Sequence, residues 1–202
     1  MSAPARMVLI PPLSVSPVRR SRPVLQAYDG LPIELVAEFL ALYRESFVEL
    51  EIAAAGRQCY TDAEFVEEMA NPAVLKYVAR VDGVAAAMVF LSNDLSTVPW
   101  ISVPYYRHHF PDQFRRQAIY YVGALLVHPE HRGGSALTAV MHAASRHVAE
   151  ADGLAAFDCC QHNVDALHLP RALALLARRV CDVTEHKLDS QSFYAYALSN
   201  PK

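Results

Sequence analysis

The spacing of apolar positions changes most sharply between Ala118 and Ala149. Ala118 to Val127 is a continuous apolar, aromatic and β-branched run, and it predicts a buried strand. His128 to Ser135 carries Pro129 and the pair Gly133-Gly134, which predicts a turn. From Ala136 to Ala149 the apolar residues Leu137, Val140, Met141, Ala144 and Val148 recur at helical spacing. Strand, glycine turn and helix together form an arrangement suited to phosphate. The first amides of a helix have no partner inside it, and glycines let an anion approach them.

The same reading extends in both directions. Pro23 to Tyr28 predicts an edge strand, and Asp29-Gly30 a turn. Pro32 opens a helix with Leu35, Val36, Phe39, Leu40, Tyr43 and Phe47 on one face, expected to run to about Ala55 and stop at Gly56. Thr61 or Asp62 caps a shorter helix through Met69, which Asn71-Pro72 ends. Val74–Val81 and Val84–Leu91 predict two strands joined tightly at Asp82-Gly83, the second apolar throughout and therefore central. Downstream, Leu154 to Cys160 predicts a strand reached by a right-handed parallel crossover. A helix is expected over Asp165 to Arg179, with Pro170 moving its start towards Leu169. Val183–Leu188 and Ser192–Leu198 predict a closing hairpin.

Ser92 to Gln117 follows neither period. It carries Trp100, Tyr105, Tyr106, Phe110 and Phe114, an aromatic content that argues against disorder. A segment this long inside a compact domain is usually functional. It reads as a flap over a pocket, with a short helix from Pro111 to Arg116, or as a dimer contact.

Composition narrows the class. A chain of 202 residues, 53% apolar and 19% charged, suits a globular protein with a full core. Its formal charge of −3 exerts no global pull towards nucleic acid or anionic membranes. No apolar run reaches the roughly 18 residues that span a bilayer. Four irregularly placed cysteines suggest reduced thiols and a cytoplasmic location rather than a disulfide framework. The histidine spacings suit no zinc site. Residues 1–23 interleave prolines with arginines and read as an extended arm, leaving 24–200 as one domain.

The run from Val127 to Leu137 resembles the coenzyme A signature of the GCN5-related N-acetyltransferases, as a divergent member would carry it. Val127, Pro129 and Arg132 fall on that pattern, and Gly133 and Gly134 fill its free positions. Ser135 stands where a glycine is expected, and Leu137 where a small residue is expected. Asn163-Val-Asp-Ala166 resembles a second family motif, whose asparagine contacts the cofactor.

The resemblance implies an α/β (α+β) fold: a mixed, mostly antiparallel, twisted sheet of six or seven strands, with parallel strands 4 and 5 splayed and helices on both faces. It implies that the pantetheine arm of acetyl-CoA or another acyl-CoA enters the splay beside a bulge on strand 4, which Gly123 could ease. The implied cofactor contacts are Leu125, Val127, Arg132, Gly133, Gly134, Ser135, Ala136, Leu137 and Asn163. Ser135 could add its hydroxyl to the phosphate or serve as the helix N-cap. No metal is implied.

The implied reaction is transfer of an acyl group, foremost acetyl, to a primary amine of a small molecule or amino-acid derivative by direct attack. It needs a base for the amine and an acid for the thiolate. Family members place a tyrosine early in the helix after strand 5. This chain has no tyrosine between Tyr121 and Tyr194, which leaves His162, His168 or water. Glu45, Glu49, Asp94, His109, Tyr120, Tyr121 and Asp158 are base candidates by element position. Tyr120 and Tyr121 point to opposite faces of their strand, so only one can face the pocket. The candidate catalytic side chains are Tyr121, Glu49 and His168. Cys159 or Cys160 could instead carry the acyl group. Two further readings stay open: an idle relative that binds coenzyme A or a partner as a regulatory module, and an enzyme like the long-chain N-acyl amino acid synthases. A homodimer is an open option among the partners.

Overall fold

A computed structural model describes residues 21–199. Of the N-terminal arm, residues 1–20 lie outside the described residues. Five strands form one sheet in the order β1 (Val24–Tyr28), β2 (Leu75–Val81), β3 (Val84–Ser92), β4 (Ile119–Val127) and β5 (Leu154–Ala156). The first four are antiparallel to their neighbours, and β5 runs parallel to β4. The sheet is therefore mixed and mostly antiparallel, as expected. β3 is buried at every position but its first, which follows from its place in the middle of the sheet with both faces covered.

The helices divide between the two faces. α1 (Ile33–Phe47) and α3 (Asp62–Ala70) cover one, burying Val36, Phe39, Leu42, Tyr43, Phe65 and Met69 against Val78, Met88, Phe90 and Leu126. α6 (Ser135–Glu150) covers the other, packing Ala136, Val140, Ala144 and Val148 on Ala79, Ala87 and Val89. α2 (Leu50–Ala53) is a single turn after α1, so the long helix expected to Ala55 breaks in two. Thr61 starts α3 with a capping box: its side chain accepts from the Glu64 amide, and the Glu64 carboxylate accepts from the Thr61 amide at 2.7 Å. Asp82 and Gly83 both have positive φ, 51° and 82°, as a two-residue hairpin of the primed type requires.

The insertion after β3 folds onto the start of β4. A 3₁₀ turn (Leu95–Thr97), α4 (Val103–His109) and α5 (Pro111–Arg115) enclose a third apolar cluster of Leu95, Val98, Tyr106, Ile119 and Tyr121. This accounts for the aromatic content read from the sequence. After β5 come the short α7 (Gln161–Asp165) and then α8 (Leu169–Ala177), which begins at Leu169 because Pro170 is tolerated only in a first turn.

Three expectations need correction. The sheet has five strands among the described residues, not six or seven, and the closing hairpin does not form. Val183–Leu188 and Ser192–Leu198 lie outside any ladder. The segment is held instead by side chains. Tyr105 donates its hydroxyl to the Leu188 carbonyl at 3.1 Å, and the Phe193 ring packs at Gly56. The predicted strand Leu154–Cys160 is likewise shorter, leaving the sheet after Ala156.

Candidate active site

β4 is nine residues long and β5 only three. Their parallel pairing covers Ile119–Tyr121 on β4, opposite Leu154–Ala156. From Val122 to Val127 the side of β4 that faced β5 has no strand beside it among the described residues. This is the splay expected from the resemblance, and Leu125 and Val127 lie in it.

At the point where the strands part, β4 carries a bulge. Phe90 of β3 pairs with Ala124 and Leu91 with Val122, so Gly123 is the extra residue. The bulge inverts the side-chain phase of the strand. Ile119 and Tyr121 before it, and Ala124 and Leu126 after it, all face the α1, α3 and insertion side. Tyr120, Val122, Leu125 and Val127 face α6. A Cβ on Gly123 would lie 2.4 Å from the Phe90 ring and 3.0 Å from the Tyr60 hydroxyl, so the position admits only glycine without repacking.

The far end of β4 runs into the glycine turn. Pro129–His131 is a 3₁₀ turn capped by His128, whose Nδ1 accepts from the Glu130 amide. Gly133 has φ of +69°, which favours glycine. Gly134 is the N-cap of α6 and has no side-chain cap. Ser135 is thus the first helical residue rather than the cap, and its exposed hydroxyl lies at the helix entrance. Arg132 is exposed beside it, and Ala136 is buried under the first turn. Leu137 is half-buried. The C-terminal end of α1 closes on this corner: Ser46 donates to the Val127 carbonyl at 3.4 Å, and Glu45 lies 4.0 Å from His128. Asn163 on α7 is buried, in the segment that β5 leads into.

A strand edge without a partner, then a positive-φ glycine, then a sixteen-residue helix with an uncapped N-terminus fit an extended amide-bearing arm that ends in a diphosphate. The free edge offers main-chain donors and acceptors to the arm. The helix start offers amides and the positive end of its dipole to the phosphates. Coenzyme A has this shape.

On the α1 and α3 side of the bulge lies a small recess of about 10 Å³ lined by Tyr60, Glu68, Phe90, Thr97, Tyr121 and Gly123. Tyr121 is 2% exposed. It donates its hydroxyl to an Asp158 carboxylate oxygen and accepts from the Trp100 indole at 3.1 Å. Burial raises the Tyr121 pKa, with Asp158 adding to it, so the phenol keeps its proton. Tyr60 is raised mainly by burial and then by Glu68. Glu68 is raised by burial, against which the Lys76 ammonium pulls it down.

Of the other predicted side chains, Glu49 is exposed and outside this recess, and His168 is exposed at φ of 48° before α8. Tyr121 alone of the three lies at the bulge. The Cys159 thiol is pushed up by burial and by Asp158, which disfavours the thiolate that a nucleophile needs. Glu68 escaped the sequence reading, although a signal existed. It shares the inward face of α3 with Phe65 and Met69, and a carboxylate there has to be explained.

No family model matches this sequence, and no curated protein matches it by sequence. Solved structures do. The chain resembles the aminoglycoside N-acetyltransferase AAC(6')-Iy in complex with CoA, with 15% identity over 91% of this chain and 99% of that one, at a TM-score of 0.51. It also resembles the aminoglycoside 6'-N-acetyltransferases AAC(6')-Ih from Acinetobacter baumannii and AAC(6')-IG from Acinetobacter haemolyticus. These are 13% and 15% identical over 87% of this chain and 100% and 99% of theirs, both at a TM-score of 0.50. The fold is that of the GCN5-related N-acetyltransferases. Within it the open edge of β4, the bulge at Gly123 and the glycine turn into α6 follow one another along one strand.

Proposed function

We propose that this protein is an acyl-CoA-dependent N-acyltransferase, in the first place an N-acetyltransferase, acting on a primary amine of a small molecule or amino-acid derivative. The observation that carries this is the coincidence, on one strand, of an unpaired edge, a bulge at the point of parting and a glycine turn opening α6. In this reading Leu125 and Val127 hold the pantetheine arm by main-chain bonds. The amides of Gly133, Gly134, Ser135, Ala136 and Leu137 face the diphosphate. Arg132 adds a cation, and Asn163 borders the arm from α7. The bulge leaves main-chain groups unpaired beside the thioester, where a donor stabilises the oxyanion formed on attack. The named activity of the solved neighbours, N-acetylation with CoA bound in one of them, supports the same reading.

The experiment is calorimetric titration of coenzyme A, followed by a thiol-release assay with acetyl-CoA and a panel of primary amines. Wild type should bind coenzyme A and release thiol with at least one amine. Arg132→Glu should weaken coenzyme A binding by about tenfold, the effect of exchanging a cation for an anion beside a phosphate. Unchanged affinity in that variant, or no binding by wild type, overturns the reading.

A further inference from the structure

Where the acceptor amine enters is the open question, and the recess at the bulge answers it in three steps. Its position comes first. Gly123 is both the bulge residue of β4 and part of the recess wall, so a group in the recess lies next to the point where β4 and β5 part. Size follows. About 10 Å³ is room for one water-sized group. An ammonium head is of that size.

Chemistry is the third. The walls combine a carboxylate with aromatic rings, the surroundings that attract a cation. Tyr60 sits edge-on to Trp100 at 5.7 Å and tilted to Phe90 at 5.9 Å, and Trp100 sits edge-on to Tyr121 at 6.2 Å. Trp100 is 47% exposed, so the cluster reaches the surface there. Glu68 is the one carboxylate in the lining.

We infer that Glu68 is the general base that takes the proton of a primary ammonium held in the recess of Tyr60, Phe90, Tyr121 and Gly123. The inference rests on the N-acyltransferase reading above. The Glu68 carboxylate removes one proton from the ammonium, and the freed amine attacks the thioester carbonyl carbon. The carbon–nitrogen bond forms, the carbon–sulfur bond breaks, and the nitrogen's surplus proton passes to the departing sulfur. Glu68 then returns its proton to solvent.

The groups around Glu68 set its readiness. Burial raises its carboxyl, the Lys76 ammonium on β2 lowers it, and Glu67 on its own helix raises it slightly. Tyr60 and Tyr121 stay protonated and leave the carboxylate as the recess's acceptor. The carboxylate form is the active one, so kcat/KM should rise with pH as Glu68 loses its proton, with a midpoint above the usual carboxylate range.

The test is the pH profile of kcat/KM for wild type, Glu68→Gln and Glu68→Asp, with coenzyme A affinity and melting temperature measured in parallel. Glu68→Gln should lose about 10²- to 10⁴-fold in kcat and lose the rising limb, with coenzyme A affinity unchanged. Glu68→Asp should keep part of the rate and shift the limb, which reads the role even where the glutamine variant folds poorly. An active wild type whose limb survives in Glu68→Gln overturns this inference and leaves the N-acyltransferase reading intact. A wild type that binds no coenzyme A overturns both.

Discussion

At the scale of single residues, burial decides which polar groups matter. Lys76 is fully buried on β2 and donates from Nζ to the carbonyls of Asp29 and Asn71 at 2.7 and 2.6 Å. Desolvation lowers its pKa from 10.5 to about 8, against the pull of Glu68 and Asp29. A lowered pKa in the folded state means that the unfolded chain binds more protons between about pH 8 and 10.5. Stability from this group therefore grows as pH rises through that window, and is lost as pH falls towards 8. Lys76→Met should be less stable outright, since it leaves two carbonyls without their donor. It should also flatten the rise in unfolding free energy between pH 8 and 10, measured by urea denaturation at each pH. Neither the buried Lys76 nor the half-buried Glu68 announces its place by residue type, because charged residues are rarely enclosed. Only their positions on an inward-facing strand and helix could have drawn notice.

At the scale of elements, the bulge in β4 is the feature on which the site turns. The strand was legible from its apolar run. The bulge at Gly123 was expected only through the family resemblance, since a fully apolar strand gives no alternation to break. Gly123→Ala places a methyl against the Phe90 ring. It should cost about 1–3 kcal/mol by overpacking, seen in urea unfolding, and Phe90→Leu in the same chain should return part of that loss. The C-terminal segment teaches the opposite lesson. Its alternating apolar residues predict a hairpin, yet Tyr194 and Tyr196 are 83% and 84% exposed. Alternation states what a strand could present, whereas a ladder also needs a neighbour. β5 offers only three residues, and side-chain contacts at Tyr105 and Gly56 hold the segment elsewhere.

For the whole molecule, one sheet carries three apolar clusters, and the proposed donor site lies where the sheet opens rather than in a cavity of its own. In the proposed reading, a ligand in that opening bridges β4, α6 and α7. Coenzyme A at about 100 times its Kd should therefore stabilise the folded state by about 2.7 kcal/mol, a rise of about 5–10 °C in Tm for a chain of this size. The rise should fall to about half, about 1.4 kcal/mol, in Arg132→Glu at the same ligand concentration. Melting curves with and without ligand check both. Among the described residues no helix is long and apolar enough to cross a membrane, and no group of three or more His, Cys, Asp or Glu is placed to hold a metal.

The order of elements, the central strand, the hairpin at Asp82-Gly83 and the glycine turn into α6 were determined by the chain itself. Each depends on local spacing and turn chemistry that neighbours in sequence supply. The number of strands, the splay of β5 from β4 and the recess that gathers Tyr60, Glu68 and Tyr121 were decided by tertiary packing. Those three residues come from a loop, a helix and a strand that sequence proximity does not link, and only the meeting of α3 with β4 across Phe90 brings a carboxylate to the bulge.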